Sequence, residues 1–192
     1  MSRVVDIHTH HPTDEVITPK AVGIHPWEAA NRKVAEIEPL IGDAEVVGEI
    51  GLDAACGIDF GLQLSVLSEQ LTLAERFNKP VVLHCVRSFE KMMTVLAEHR
   101  LRAVIFHGFI GSSEQAKRAI ERGYFLSFGE RTFRSPKTIA ALRQTPLNQL
   151  FIETDESPTP IAEIYECIAG LRGIPLDRLI TATKENLEKI LG

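Results

Sequence analysis

Cysteine is scarce. Cys56, Cys85 and Cys167 are too few and too scattered in 192 residues for a disulfide framework or a thiolate zinc site, so they are expected to be reduced core or surface thiols. No apolar run is long enough to cross a bilayer, and the first residues lack the basic start and apolar stretch of a secretory signal. A cytoplasmic protein with no membrane partner is therefore expected. Basic charge is not in excess either. With 21 Lys and Arg against 26 Asp and Glu, the net charge of −5 excludes the broad basic face of a dedicated nucleic-acid-binding domain, and any affinity for phosphate must be local. Internal repeats, low-complexity segments and linkers are absent. A 44% hydrophobic content suits a real core, and one globular domain spanning residues 1–192 is expected.

What is present is alternation. Short runs rich in Val, Ile, Leu and Phe occupy residues 3–7, 20–24, 45–50, 80–83, 102–106, 123–128 and 149–152 and read as buried parallel strands. Between them lie helical spacings, such as Leu67, Leu71, Ala74 and Phe77, then Phe89, Met92, Met93 and Leu96. Ser112 with Gln115 predicts a capping box, Gly123 a helix stop, and Ser135-Pro136 a cap followed by proline in the first turn. Two helices close the chain, one through Ile164, Tyr165 and Ile168 ending at Gly173, the other over residues 176–191. Such an α/β pattern leaves a closed barrel or an open doubly wound sheet. No glycine-rich phosphate loop follows the first strand, whereas residues able to bind metal sit at the ends of most strands. A TIM-like (β/α) barrel gathers all strand ends at one mouth, and is the architecture expected.

Histidine placement is the strongest chemical signal. His8 and His10 close the first strand, and His25, His84 and His107 close three others; His11 simply follows His10, and His99 is read inside a helix. Asp6, His8 and His10 share one strand face, because side chains alternate with period two, so both imidazoles can address one ion. Asp6, lying deeper, is expected to hydrogen-bond a ligand histidine. Glu49, flanked by Gly48 and Gly51 in an apolar strand, must be paired or bind metal, since an isolated buried carboxylate is costly. Glu153 and Asp155 follow the last strand with equal parity, and spacing does not choose between them.

In order, these residues form Asp6-x-His8-x-His10, Gly23-Ile24-His25-Pro26, Gly48-Glu49-Ile50-Gly51-Leu52-Asp53, Pro80-Val81-Val82-Leu83-His84, Phe106-His107-Gly108-Phe109-x-Gly111 and Glu153-Thr154-Asp155. The set resembles the TatD-type metal-dependent hydrolases over nearly the whole chain, ending in Thr183-Lys184-Glu185-Asn186. The resemblance implies two divalent ions (zinc, manganese or magnesium). It assigns the first to His8, His10, Glu49 and Asp155, and the second to Glu49, His84 and His107, with Glu49 bridging. It also selects Asp155 over Glu153 and implies phosphodiester cleavage in DNA by a water activated between the metals. Asp155 and Glu49 would then be the catalytic carboxylates.

This chain departs from the family in three places. The segment between His10 and Gly23 is short, so the barrel is expected to have seven strands or a distortion. Arg87 stands one residue out of step with the family's His-x-Arg, and Ala54-Ala55-Cys56 lacks the usual aromatic residue. His25, Trp27, Arg87, Arg131 and Arg134 are the expected substrate contacts, with Trp27 as a stacking platform and Arg131, Arg134 and Lys137 as a local phosphate funnel. Nucleic acid is the expected substrate. Competing expectations are an amidohydrolase-like enzyme cleaving a C–N or ester bond, and a metal-binding protein without catalysis.

Overall fold

The computed structural model describes residues 3–192. Its strands are β1 (Val4–Val5), β2 (Val16–Ile17), β3 (Ala21–Val22), β4 (Val46–Asp53), β5 (Val81–Val86), β6 (Val104–Phe106), β7 (Phe125–Phe128) and β8 (Leu150–Ile152). Its helices are α1 (Val34–Ile37), α2 (Phe60–Arg76), α3 (Phe89–Leu96), α4 (Ser113–Glu121), α5 (Pro136–Gln144), α6 (Ile161–Arg172) and α7 (Leu176–Leu191). Among the described residues, eight strands thus replace the seven expected. The additional one, β2, lies in the short stretch after His10, and its two residues are too few for any periodicity to reveal. The chain forms two compact units, one of Pro19–Phe106 and the other of the chain up to Thr18 with His107–Gly192.

In the Pro19–Phe106 unit, β3, β4, β5 and β6 pair in that order, all parallel, with Val22 opposite Val47, Gly51 opposite His84 and Leu83 opposite Phe106. Runs of Val, Ile and Leu make these strands because both faces are covered, and Val46, Val47, Ile50, Val81, Leu83 and Ile105 are all inaccessible. The register shifts between Val47 and Ile50, beside the cis Gly48–Glu49 peptide. Gly51 is obligatory: at φ +154° it lies so close to β5 that a Cβ would stand 1.9 Å from the His84 carbonyl oxygen.

Helix α2 is capped by Asp59, whose side chain accepts from Leu62 N at 2.8 Å, and it buries Leu67, Leu71 and Ala74. Each buried leucine contributes about 2 kcal/mol. The same helix buries Gln63 and Gln70, seven residues apart and so on one face. Gln70 accepts from Ile24 N at 2.6 Å and donates to Ile24 O at 3.1 Å, while Gln63 accepts from Asp53 N at 2.8 Å and donates to Asp53 O at 3.1 Å. Two amides therefore take the place of a neighbouring strand and fix the backbone at and beside Asp53 and His25.

In the other unit, β2 pairs with β1 and β7 with β8, again parallel. The chain beyond β1 bonds the chain at and beyond β8: Ile7 N to Ile152 O at 3.1 Å, Asp155 N to His8 O at 3.0 Å, and His10 N to Asp155 O at 3.0 Å. Ser112 and Gln115 form the expected capping box, Ser135 caps α5, and Gly173 ends α6 at φ +61°. The Thr183 to Asn186 motif is structural. The Tyr165 hydroxyl donates to Val5 O at 2.7 Å and lies 2.8 Å from Thr183 Oγ1, and Asn186 Nδ2 donates to Leu150 O at 2.9 Å, so α7 is tied to β8 and α6 to β1. His99 lies past the end of α3 rather than inside a helix, with Nδ1 3.0 Å from a Glu75 carboxylate oxygen.

Candidate metal centre

Two groups of histidines and carboxylates sit at strand ends, one in each unit. In the unit containing both termini, His8, His107 and Asp155 bring one ligand atom each within 4.8 Å of the others. His8 Nε2 lies 3.8 Å and His10 Nε2 3.5 Å from Asp155 Oδ1. These gaps are longer than an ordinary hydrogen bond. They suit a shared cation, since bonds of 2.0–2.2 Å in a tetrahedral shell hold ligand atoms roughly 3.4 Å apart. The His8 ring packs 5.2 Å from the His10 ring and 4.4 Å from the His107 ring, centroid to centroid. Asp155 is held at φ +57°, an uncommon conformation for a residue with a Cβ, by the two backbone bonds that join it to His8 and His10.

Asp6 does not meet a histidine as expected. Its carboxylate accepts from Thr154 N at 3.0 Å and Thr154 Oγ1 at 2.7 Å, because alternation carries it beneath the ligands to where β8 ends. Burial pushes its carboxyl up to about 6, and the two Thr154 bonds only partly offset this. Glu153 and Asp155, equivalent by parity, have different partners. Asp155 faces His8 and His10; Glu153, 1% exposed, places Oε1 3.3 Å from His107 Nδ1. Burial works against the Glu153 anion, yet the His107 and His8 imidazoles outweigh it and hold the carboxyl below its usual range.

In the Pro19–Phe106 unit, His25, Glu49 and His84 form the second group. His84 Nδ1 lies 2.6 Å from Glu49 Oε1, a hydrogen-bond distance, and His84 Nε2 lies 3.4 Å from Asp53 Oδ2. His25 Nε2 is 3.4 Å from Glu49 Oε1, while His25 Nδ1 accepts from Trp27 N at 3.3 Å. A neutral imidazole that accepts at Nδ1 carries its proton at Nε2, so in this state His25 points a donor at Glu49. Sequence reading expected it to line the substrate pocket, and the contact with Glu49 is compatible with that place. Trp27, 56% exposed, donates its indole N–H to Asp53 Oδ2 at 2.7 Å, which tethers the ring and leaves much of it open. Asp53 was not singled out from the sequence. Its parity with Glu49 and Gly51 was the available signal. Burial opposes its charge, but bonds from Trp27, Ala55 N and His84 prevail and hold the carboxyl low.

The expected substrate contacts separate. Arg87 is exposed at φ +53° just past β5 and makes no ion pair or side-chain hydrogen bond among the described residues. Arg134 is engaged by Glu130 at 2.6 Å. Arg131 is exposed and lines a cavity of about 230 Å³ together with Ile110, Arg134, Glu153, Asp155 and Ser157. Lys137 lies exposed in the first turn of α5. Burial pushes the Cys85 thiol up to about 12, which suits an inert core side chain.

Histidine and carboxylate donors converging at strand ends define a metal-dependent hydrolase class, and relatives specify it further. The family model described as TatD related DNase matches residues 13–192. An uncharacterized metal-dependent hydrolase of Escherichia coli, YjjV, is 34% identical over 191 residues, covering 86% of this chain and 73% of the relative. The human deoxyribonuclease TATDN3 is 30% identical, covering 75% of this chain and 58% of its own length. The crystal structure of YjjV, a TatD homologue, superposes with a TM-score of 0.82 at 30% identity, over 93% of this chain and 78% of that one. The chain belongs to the TatD family of metal-dependent hydrolases, with that family's parallel-stranded, TIM-barrel-like α/β fold.

Proposed function

We propose that this enzyme cleaves phosphodiester bonds in DNA using two divalent cations. The carrying observation is the convergence of His8 Nε2 and His10 Nε2 on Asp155 Oδ1, at 3.8 and 3.5 Å, beside a cavity that Arg131 lines. Following the family resemblance, His8, His10 and Asp155 would hold one ion and His84 and His107 the other, with Glu49 serving both; manganese, zinc and magnesium all suit such donors. Bound there, the ions would lower the pKa of water and neutralise charge on a phosphoryl group. Asp155 orients the attacking water and accepts its proton at Oδ2. His25 steadies the Glu49 carboxylate through Nε2–H, and Arg131, rather than the engaged Arg134, holds the phosphate flanking the scissile bond. Trp27 offers an exposed ring on which a base stacks.

Free Cys56, Cys85 and Cys167 suit a reducing cytoplasm, and no helix among the described residues is long and apolar enough to cross a membrane. The net charge of −5 implies weak, strongly salt-dependent binding of single strands or free ends. The test is a screen at low ionic strength of protein loaded with manganese, zinc or magnesium, against single-stranded DNA, duplex ends, RNA, phosphomonoesters and amides. Metal-dependent cleavage of DNA that weakens with salt supports the proposal. Turnover of an amide or small ester alone replaces it with an amidohydrolase-like reading.

A further inference from the structure

Glu153 has no part in the reaction outlined above, yet it is one of the most enclosed acids in the chain, with 1% of its surface exposed. Its Oε1 stands 3.3 Å from His107 Nδ1, and Oε2 has no hydrogen-bond partner among the described residues. Burying such an oxygen is costly, and native proteins keep one where the carboxylate has work at a site.

The contact is built by backbone on both sides. Phe109 N bonds Ser127 O at 2.9 Å and Glu153 N bonds Phe128 O at 3.2 Å, so both segments are registered against β7. Space for the carboxylate is cleared by two glycines. A Cβ on Gly129 would stand 3.0 Å from Glu153 O and 3.4 Å from Glu153 Cγ, and one on Gly108 would stand 3.3 Å from Oε1. The His8 ring packs against the His107 ring at a centroid separation of 4.4 Å.

We propose that Glu153 is a positioning residue: its carboxylate holds the neutral His107 imidazole in the Nδ1–H tautomer, so that Nε2 is the nitrogen presented to a cation. A carboxylate accepts and cannot donate, so the proton between the two must reside on Nδ1. Neutral histidine in water prefers the opposite tautomer, and without Glu153 the wrong nitrogen would carry the hydrogen. Orientation of a metal-bound histidine by a carboxylate on its other nitrogen is the general arrangement this follows. The inference rests on the metal-site reading for its purpose, but its central claim concerns the metal-free protein.

The experiment is nitrogen-15 correlation of the histidine rings in full-length, metal-free protein at about pH 8, where imidazole is largely neutral. His107 is assigned by comparison with His107→Asn, and titration with manganese alone follows. Wild-type His107 should be the Nδ1–H tautomer. Glu153→Gln, which keeps an acceptor, should retain that tautomer and bind manganese within a few-fold of wild type. Glu153→Ala should revert to Nε2–H and weaken manganese binding about 10- to 100-fold with unchanged circular dichroism. An Nε2–H tautomer in wild type would overturn the proposal, as would a Glu153→Ala variant with unaltered tautomer and affinity. A Glu153→Gln variant as impaired as Glu153→Ala would also overturn it, because the carboxylate would then be ligating metal directly. Should Glu153→Ala fail to fold, wild type and Glu153→Gln still decide the matter. Absence of DNA cleavage would not alter the tautomer, so the two readings fail separately.

Discussion

Each of the two compact units carries four parallel strands and a group of imidazoles and carboxylates at their ends, but the two groups differ in spacing. Around Asp155 the nearest nitrogens of His10 and His8 stand 3.5 and 3.8 Å from Asp155 Oδ1. Around Glu49 the carboxylate lies 2.6 Å from His84, at hydrogen-bond distance, and a second carboxylate, Asp53, stands near the other nitrogen of that ring. The first gaps match the spacing of two ligand atoms on one cation, whereas an ion at the second would compete with the contact between His84 and Glu49. Backbone explains the contrast. Asp155 is clamped at φ +57° between the His8 and His10 peptides, whereas Glu49 and His84 are side chains on adjacent strands, free to close on one another.

The comparison breaks most visibly at Asp155. Asp155→Asn removes the charge facing His8 and His10 and the group assigned to take the proton from water, and turnover should fall about 10²- to 10⁴-fold. Asparagine tolerates the left-handed conformation as well as aspartate does, so circular dichroism and the unfolding midpoint should be unchanged. Near-normal turnover in a folded variant would remove Asp155 from the reaction and return Glu153 to contention.

The next effect belongs to the other half. Gln70→Ala leaves the buried N–H and C=O of Ile24 without their partner, costing about 2–6 kcal/mol at 1–3 for each group. Urea unfolding should show it, and His25, one residue further on, should lose its fixed position. A loss below about 0.5 kcal/mol would mean that water replaces the amide.

How much of this was legible follows from what a side-chain pattern can carry. Strands with several buried Val, Ile or Leu residues were readable, as were the Ser112 and Ser135 caps, because one residue type at one offset does one physical job there. β2 was not, since two residues make no period. Gln63 and Gln70 were invisible for a different reason: a glutamine on a helix reads as solvent-facing until the backbone it serves is known. Parity identified the face of Glu153 and Asp155 but not their partners, which depend on strand pairing between segments nearly 150 residues apart. His25 was read as lining the substrate pocket, and the sequence could not add its contact with Glu49, which depends on the bond from Trp27 N to its Nδ1.

Metal titration sharpens the contrast directly. An ion taken through His84 Nδ1 would displace a 2.6 Å hydrogen bond, which when charge-assisted is worth about 1.5–3 kcal/mol, so the second ion should then bind roughly 10- to 100-fold more weakly than the first. Calorimetry with manganese should resolve two phases. His8→Asn should remove the tight one and His84→Asn the weak one. A single phase of equal affinities would show that the 2.6 Å contact imposes no penalty.

The smallest effect separates two carboxylates that serve as clamps, one in each half. Glu75 is held low by the Arg100 backbone N–H and by His99, and Glu130 by the Ser157 hydroxyl, Arg134 and Thr159. Both are depressed acids, so each contributes stability that is complete above the unfolded value near 4.5 and is lost as pH falls through the lower folded one. Both lie at the surface, where solvent screens such gains, and the slope of stability against pH below about 4.5 should change only slightly in Glu75→Gln or Glu130→Gln. Function distinguishes them. Glu130 ties the loop bearing Arg131 to Ser157 and Thr159 beside the Asp155 cavity, whereas Glu75 only secures the chain after α3. Glu130→Gln should therefore raise KM for a DNA substrate a few-fold with little change in kcat, because it loosens a phosphate contact and leaves the metal ligands alone. Glu75→Gln should leave both constants unchanged. Equal kinetics in the two variants would mean that the Glu130 loop does not position Arg131 for substrate.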